Sequence, residues 1–364
     1  MKCREVRLIE IRNFKDKTVN PAEDLTVLTG RNGTGKTNIL EAVSVASLGK
    51  SFRTGRDEEL IRLGQREGTI IVDYEVRNVT HRLKIKLSKE KGKKITLNDT
   101  AIKKKEMMGL FRTVLFTPDE MQLIKGGPQG RRRFIDLEIS QASPRYYEEI
   151  LRYLQAVRQR NASFKEALFR GIKPEIDIWD MQIAKGAAYI VKKRRETLRK
   201  MNRLLASMEN FLTEGKETLE IEYKKSGGEE NKTDEEWYLK ELAKRREEDG
   251  RFCHTSVGPH RDDLLFKMNG LDLSAYGSQG QQRTAVLAMK LGELEFIKEE
   301  TGEYPVLLLD DVGSELDEKR RNSLFEYIKN KNIQTIMTAT DPFRGNFGKE
   351  IKIEETETEH EERS

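Results

Sequence analysis

Several short stretches in the first third of the chain alternate polar and apolar residues. Residues 4–11 (REVRLIEI) follow this period of two, which is typical of a strand with one buried face, and we interpret them as an edge strand. Residues 70–76 and 81–87 alternate on either side of a turn at Asn78, and residues 95–97 follow as a third strand. This pattern predicts a small antiparallel sheet.

Apolar runs without alternation mark a second kind of strand. The clearest is 305–309 (PVLLL), and residues 25–29, 114–116 and 333–338 are similar in character. Strands that are covered on both faces in a parallel sheet have this composition. We therefore expect buried strands whose C-terminal ends face a ligand.

From about residue 143 the apolar residues recur at spacings of three and four, as in amphipathic helices. The stripe comprises Ile150, Leu154, Val157, Asn161, Phe164 and Leu168 and, after a break at residues 171–174, Trp179, Ile183, Ala187, Ile190, Leu198, Met201, Leu205, Met208 and Leu212. Arg194 interrupts it. Two long helices joined by a short break predict an antiparallel arm in which the stripe packs inward.

Composition limits the class of protein. A chain of 364 residues is long enough for about two domains. Its 67 Lys and Arg against 62 Asp and Glu give a net charge of only +5, which by itself does not identify a nucleic-acid partner. No run is apolar for long enough to predict a signal peptide or a membrane span, so we expect a cytoplasmic protein without a membrane partner. The two cysteines form no C-x-x-C pair, which argues against a structural zinc site.

Basic residues are concentrated in two places. One is a lysine-rich turn at residues 89–94, and the other is a face of the second arm helix within residues 192–203. Exposed turns and helices are commonly charged, so a solvated surface explains both, and contact with DNA phosphates is the alternative. The candidate DNA contacts are Lys91, Lys93, Lys94, Lys193, Arg194 and Arg195.

Residues 30–37 (GRNGTGKT) fill the pattern G-x-x-x-x-G-K-[ST] of a phosphate-binding P-loop, between a predicted strand and a predicted helix. The expected ATP-binding residues are Gly30, Arg31, Asn32, Gly33, Thr34, Gly35, Lys36 and Thr37. Glycines let backbone N–H groups approach phosphate oxygens, and Lys36 adds a positive charge at the β- and γ-phosphates. The Thr37 hydroxyl is a candidate ligand for Mg²⁺.

Two further stretches complete this chemistry. Asp310 and Asp311 follow the apolar strand 305–309, so we expect Asp310 to hold Mg²⁺ and Asp311 to polarise the attacking water. Upstream, residues 276–283 (YGSQGQQR) begin a helix that Ser278 would cap. Seen about thirty residues before the strand with its two aspartates, this stretch resembles the signature motif of the ATP-binding-cassette (ABC) ATPases.

The ABC resemblance implies that the signature of one subunit contacts the γ-phosphate held by the P-loop of another. The signature residues would be Ser278, Gln279, Gly280 and Gln281. It also assigns Ser314 and Asp317 to the D-loop. The histidine that many ABC ATPases carry after the last core strand is absent from this sequence, so Thr338 or Thr340 would sense the γ-phosphate.

A closer resemblance rests on blocks spread over nearly the whole chain. With the P-loop, the blocks GKSFRTGRDEELIR (49–62), GGPQGRRRFID (126–136), VGPHRDDL (257–264), SQGQQRT (278–284) and LLLDDVGSELD (307–317) are similar to the RecF family of bacterial recombination and gap-repair ATPases. One departure is the order of the acids in residues 118–120 (PDE), at the equivalent of the ABC Q-loop.

The resemblance implies an α/β fold. An ABC-type P-loop ATPase head with a mixed sheet and helices would comprise residues 1–125 and 300–364. A mostly α-helical second lobe, residues 126–299, would carry the short antiparallel arm (about 145–250) and the signature.

It also implies function. The expected protein is an ATP-dependent homodimer that uses Mg²⁺ and binds gapped DNA and single-strand/double-strand junctions at the nucleoid. It would be a weak DNA-dependent ATPase that loads the RecA recombinase with RecR and RecO and supports SOS induction. The alternatives are an ABC-transporter nucleotide-binding subunit, which usually has a histidine switch and no basic arm, and an SMC-type DNA clamp, which needs a longer coiled coil.

Overall fold

Residues 1–228, 231–312, 316–340 and 348–354 are described by a computed structural model of the chain. The chain divides into two units. The first comprises Met1–Asp119 and Ile297–Ser364, and the second comprises Glu120–Phe296. That these units act as the two lobes expected from the sequence stays a prediction.

Strands and helices occur in both units. The strands are β1 (Lys2–Ile11), β2 (Phe14–Val19), β3 (Leu25–Thr29), β4 (Glu67–Val76), β5 (Val79–Ser88), β6 (Gly92–Leu97), β7 (Thr100–Ile102), β8 (Thr113–Phe116), β9 (Leu219–Lys224), β10 (Asp263–Met268), β11 (Leu271–Asp272), β12 (Val306–Leu309), β13 (Thr335–Thr338) and β14 (Lys349–Lys352). The helices are α1 (Lys36–Leu48), α2 (Lys104–Met107), α3 (Met121–Lys125), α4 (Pro128–Ala142), α5 (Pro144–Arg170), α6 (Asp177–Thr213), α7 (Glu235–Lys244), α8 (Arg246–Phe252), α9 (Leu273–Tyr276), α10 (Gln279–Thr301) and α11 (Glu318–Lys331).

The first unit contains an antiparallel sheet with the strand order β2-β1-β4-β5-β6-β7. The predicted turn at Asn78 is confirmed: Val76 pairs with Val79, and both Arg77 and Asn78 have positive φ, as a two-residue hairpin turn requires. The interpretation of residues 4–11 as an edge strand is wrong. β1 pairs with β2 on one side and β4 on the other, because residues 14–19, which the pattern did not identify, form the outer strand.

The second sheet of this unit is parallel throughout, with the order β14-β3-β13-β12-β8. Every residue of β3, β12 and β13 is buried, as the apolar runs predicted. The strands share one direction, so the segments that follow β3, β12, β13 and β8 all leave from the same edge. The P-loop, Asp310 and Asp311 leave from that edge.

One apolar core holds this unit together. It takes residues from the inner face of the antiparallel sheet, from α1 and from the parallel sheet, among them Leu8, Ile70, Val43 and Leu308. Complete burial of such side chains stabilises each by about 1.5–3 kcal/mol relative to exposure. The P-loop helix is therefore fixed by packing over most of its length.

The second unit is mainly helical. Helices α5 and α6 pack against each other as the predicted antiparallel arm, joined by residues 171–176. Their approach is close, since a Cβ at Gly186 would lie 3.1 Å from the Tyr153 ring. Most of the predicted stripe is buried, but Leu154 and Leu168 are exposed because they lie on the outer face of α5. A three-stranded antiparallel sheet, β11-β10-β9, completes the unit.

Within the part of the chain that the structure describes, no helix combines the length and the apolar character needed to cross a membrane.

Candidate functional site

The P-loop connects β3 to α1 at the carboxyl edge of the parallel sheet. Gly33 and Gly35 have φ of 88° and 102°, a region that side chains disfavour. A Cβ on Gly35 would lie 2.6 Å from both the Asn13 Oδ1 atom and the Phe14 ring, so glycine is required there. Asn13 also donates from Nδ2 to the Thr34 carbonyl at 2.9 Å, which holds the loop from outside.

Lys36 is the first residue of α1, and its side chain bends back over the loop. Its Nζ donates to the carbonyl oxygens of Gly30 at 2.6 Å and Arg31 at 2.9 Å. The residue is 8% exposed. Gly35 is the N-cap of α1 and supplies no side-chain hydrogen bond to the first-turn N–H groups. These N–H groups and the Lys36 ammonium lie at the same loop, and both favour a bound anion.

Three hydrogen bonds join Thr37, Asp310, Asp311 and Thr338. The hydroxyls of Thr37 and Thr338 each donate to Asp310 Oδ1 at 2.9 Å. The Asp311 N–H in turn donates to the Thr338 hydroxyl at 2.9 Å. Thr37 lies in the first turn of α1, Asp310 and Asp311 follow β12, and Thr338 ends β13. The parallel sheet brings them together across 273 positions in the sequence.

Asp310 and Asp311 differ in setting. Asp310 is buried and oriented by two hydroxyls, whereas Asp311 is exposed. The backbone of Asp311 has φ of 51°, a left-handed conformation that costs energy in a residue other than glycine and is common at functional sites. Thr340, the other sensor candidate, is exposed next to residues 341–347, which lie outside the described part of the chain.

This donor set fits a magnesium nucleotide. A loop in which Gly30 and Gly35 leave no room for a Cβ, a helix start without a side-chain cap and a lysine provide for an anion. The Thr37 hydroxyl and the Asp310 carboxylate, 2.9 Å apart, provide two oxygens, and Mg²⁺ usually takes few protein ligands besides phosphates and water. Thr37 and Asp310 are therefore the residues that would hold the metal.

The signature lies in the second unit, at the start of α10. Ser278 and Gln279 are exposed, while Gly280 and Gln281 are partly exposed. The Ser278 hydroxyl accepts from the Gln281 N–H at 3.2 Å, and Gln281 Oε1 accepts from the Ser278 N–H at 2.9 Å. The predicted cap is thus present as a reciprocal capping box.

Of the two D-loop candidates, Asp317 caps α11 by accepting from the Arg320 N–H at 2.9 Å, and Ser314 lies outside the described residues.

Two of the candidate DNA contacts need correction. Arg194 is 1% exposed, and its guanidinium donates to both Asp136 oxygens at 2.8 Å. Lys93 donates to Asp57 at 2.8 Å and to the Gly49 carbonyl at 2.9 Å, and burial lowers its pKa. Neither side chain presents its charge to a phosphate, because Arg194 lies on the inner face of α6 and Lys93 packs beside the end of α1.

The other four candidates stay predictions. Lys91 and Lys94 are exposed. Lys193 lies 2.8 Å from Glu196, and the Arg195 guanidinium lies 5.7 Å from the centre of the Tyr223 ring, both with partial exposure.

Arg194 belongs to a polar network that sequence patterns did not identify. It joins α4, α6 and the loop before β10, because Arg194 also donates to the Pro259 carbonyl at 2.7 Å. Asp262 accepts from the Ser226 N–H at 2.7 Å, and Arg131 pairs with Asp263 at 2.8 Å. The blocks GGPQGRRRFID and VGPHRDDL thus contact each other, and their shared resemblance to one family was the available signal.

A second unforeseen cluster supports the P-loop helix. Glu41 on α1 is fully buried and accepts from Arg12 at 2.7 Å and 2.9 Å. Ser51 donates to the same carboxylate, and Arg53 donates to the Asn38 side chain at 2.7 Å. The block that begins at Gly49 therefore holds the helix whose first residue is Lys36.

Comparisons with known proteins agree with this geometry. The family model described as RecF/RecN/SMC N terminal domain matches residues 2–357. DNA replication and repair protein RecF of Alkaliphilus oremlandii (strain OhILAs) is 39% identical over 341 residues, which cover 92% of each chain. The protein of the same name from Symbiobacterium thermophilum is 40% identical, over 92% of this chain and 90% of that protein.

Solved structures show the same relation. A structure of the recombination mediator protein RecF with ATPrS, in the RecFOR pathway, has a TM-score of 0.89 and 32% identity and covers 97% of this chain and 96% of its own. An Smc head bound to a domain of ScpA reaches a TM-score of 0.54 at 15% identity, over 93% of this chain and 89% of its own, which shows the fold alone. Neither the transporter nor the clamp alternative is favoured. The chain belongs to the RecF/RecN/SMC family and, within it, to the RecF proteins.

Proposed function

We propose that this chain is an ATP-dependent DNA-binding protein of recombinational repair and replication-gap repair, which binds and hydrolyses ATP. The observation that carries the proposal is the set of hydrogen bonds that joins Thr37, Asp310, Thr338 and the Asp311 backbone beside the P-loop. The names of the relatives, which include DNA replication and repair protein RecF, supply the biological context.

The site residues divide the work of phosphoryl transfer to water. Backbone N–H groups of residues 30–37 and the Lys36 ammonium bind the phosphates once Lys36 exchanges its bonds to the Gly30 and Arg31 carbonyls. Thr37 and Asp310 hold Mg²⁺, which neutralises phosphate charge when bound. Asp311 is exposed beside them and orients the attacking water as its general base. Thr338 is the γ-phosphate sensor that fits best, because its hydroxyl contacts both aspartates.

Two copies of the chain complete the reaction. Exposed Ser278 and Gln279 contact the γ-phosphate held by the other copy, so ATP stabilises a homodimer. Hydrolysis is slow and DNA-dependent, and it resets the dimer. DNA is bound at gaps and single-strand/double-strand junctions, with RecR and RecO as partners that load RecA and support SOS induction. The activity belongs in the cytoplasm at the nucleoid, because its substrate is chromosomal DNA.

The DNA surface includes the outer face of α6. Lys192, Arg199 and Arg203 are exposed there, and Lys193, Arg195 and Lys200 are partly exposed. Contacts of this kind bind phosphates and carry little sequence information.

Sedimentation with gapped duplex, ATP and Mg²⁺ tests the proposal. We expect the wild-type chain to dimerise, Lys36→Ala to lose ATP binding and dimerisation, and Ser278→Arg to bind ATP as a monomer without dimerising. Lys15→Ala, which removes an exposed charge from the same unit, should behave as wild type. A wild-type chain that stays monomeric, or a Ser278→Arg variant that dimerises normally, contradicts the proposal.

A further inference from the structure

Gln281 joins the signature to the end of the arm. Gln281 Nε2 donates to Glu217 Oε1 at 3.0 Å, while Gln281 Oε1 accepts from the Ser278 N–H at 2.9 Å. The two bonds require one orientation of the amide, because the reverse orientation would place oxygen against carboxylate and NH₂ against N–H. Glu217 therefore selects the orientation of Gln281 that forms the cap of Ser278.

Glu217 itself is held in place. It lies in the connection between α6 and β9, where its N–H donates to the Thr213 hydroxyl at 3.4 Å. The next residue exchanges two bonds with Asn269: the Thr218 N–H donates to Asn269 Oδ1 and the Asn269 N–H donates to the Thr218 carbonyl, each at 2.9 Å. The carboxylate thus extends from a fixed point at the C-terminal end of the arm helix.

Gln282 gives the signature a local support. The buried side chain of Gln282 donates to the carbonyl oxygens of Leu273 at 3.1 Å and Gly277 at 3.2 Å, and both belong to the segment just before the signature. These bonds fix the chain entering α10 but do not reach α6. The bond to Glu217 spans 64 positions and joins the exposed end of α10 to the connection that directly follows α6, the helix that carries the basic face.

We infer that Glu217 is a positioning residue for the signature. By fixing Gln281, it keeps Ser278 and Gln279 in the arrangement that contacts the nucleotide of a second copy, and it connects that arrangement to the DNA-binding helix α6. This inference rests on the proposed ATP-dependent homodimer. It assigns to Glu217 an effect on dimerisation and none on ATP binding by the single chain.

The test compares Glu217→Ala with two matched variants. Glu217→Gln keeps an acceptor oxygen at the same position, and Glu220→Ala removes an exposed carboxylate three residues further on. The measurements are the dissociation constant of the ATP-bound dimer and ATP affinity at concentrations where the chain is monomeric. We expect Glu217→Ala to weaken the dimer at least about tenfold, as loss of a hydrogen bond to a charged group implies. Glu217→Gln should restore part of this loss, and Glu220→Ala should match the wild type.

A double-variant cycle tests the route through Gln281. If Glu217 acts through that residue, Glu217→Ala combined with Gln281→Ala should dimerise no more weakly than Gln281→Ala alone. Additive losses would overturn the inference. So would a Glu217→Ala variant that dimerises as wild type, or one that loses ATP affinity as a monomer.

Ser278→Arg separates this failure from that of the proposed function. If Ser278→Arg blocks dimerisation and Glu217→Ala does not, the dimer stands and the role of Glu217 is wrong. If Ser278→Arg dimerises normally, the proposed dimer itself is wrong, and with it the role of Glu217.

Discussion

Asp310 and Asp311 are neighbours in sequence with different surroundings. Asp310 accepts two hydroxyl hydrogen bonds at 2.9 Å in a buried position, so its carboxylate is oriented before any ligand binds. Asp311 has a backbone φ of 51° and is exposed. Orientation suits a metal ligand and exposure suits a group that contacts water, which is why we assign the two roles in this order.

Asp311→Asn should bind ATP but hydrolyse it at least about 100-fold more slowly, because the amide is a poor general base. Phosphate release and nucleotide affinity measure the two effects separately. Asp24→Asn is the matched control, since Asp24 is an exposed acid of the same unit that precedes β3 at the opposite edge of the parallel sheet. Hydrolysis at the wild-type rate in Asp311→Asn would assign the general base to another residue.

Lys290 in the second unit is surrounded by carboxyl groups. Its Nζ lies 3.0 Å from both Glu120 and Glu293, and Glu138 is a further acidic neighbour. Burial raises the pKa of Glu293 to about 7 and also raises that of Glu138, while the carboxylates raise that of Lys290. One ammonium does not offset three carboxylates, of which Glu138 and Glu293 are buried, so protons remain bound near neutral pH.

This cluster predicts a pH dependence. The folded state retains protons that the unfolded chain releases above about pH 4.5, so the cluster's contribution to the free energy of unfolding should fall as pH rises from about 4.5 to about 7. Glu293→Gln should therefore be more stable than the wild type above pH 7, by on the order of 1–3 kcal/mol. Chemical denaturation across this range measures the difference, with Glu299→Gln, exposed on the same helix, as control. A difference that grows toward low pH would contradict the assignment.

At the scale of elements, buried charges connect the arm to its surroundings. Arg194 on α6 binds Asp136 on α4 and the Pro259 carbonyl. Deeper in the arm, Arg160 on α5 is fully buried and lies 2.6 Å from Asp180 on α6 and 2.6 Å from Asp249 on α8. Removing one partner of such a pair leaves the other buried and uncompensated.

Arg194→Met should lower the free energy of unfolding by about 2 kcal/mol, because it removes the buried cation that pairs with the Asp136 carboxylate and leaves that carboxylate with the Tyr146 hydroxyl. Chemical denaturation measures the loss. Arg195→Met, one residue along the same helix and partly exposed, should cost about 1 kcal/mol or less. The folded Arg194→Met protein should keep its DNA affinity. A stable variant that binds DNA weakly would restore Arg194 as a DNA contact.

For the whole molecule, a net charge of +5 is too small to attract DNA by itself. The distribution of the charges over the surface therefore determines where DNA binds. Exposed basic residues are concentrated on α6. Elsewhere many acidic residues form ion pairs with arginines. Phosphate binding by such a face should depend strongly on salt.

Each phosphate contact contributes about 0.9 to the slope of log affinity against log salt for duplex DNA. Arg199→Ala with Arg203→Ala should therefore lower the slope by about 2, and the effect should be larger with ATP. Titrations of gapped duplex over a salt series measure it. Arg152→Ala is the control, because it removes an exposed arginine from α5, and its salt slope should equal that of the wild type. Equal slopes in all variants would exclude this face as the DNA surface.

Much of the fold and part of the site were predictable from the sequence. The hairpin at Asn78, the buried strand before Asp310 and the two arm helices follow from local spacing, and the structure confirms them. The position of β1 inside its sheet did not follow, because a period of two shows which face is buried and not how many neighbours a strand has.

The sequence by itself determined the elements whose information is local: the glycine loop with Lys36 and Thr37, the apolar strand that ends in two aspartates, and the stripe that Arg194 interrupts. Tertiary structure alone decided which of these residues meet. Thr37 reaches Asp310 across 273 positions, and Asp136 reaches Arg194 across 58. Residue type and spacing specify what a side chain can do within a few turns of chain. Only parallel strand pairing and helix packing determine which distant donor faces it, and therefore whether a charge binds a ligand or stabilises the core.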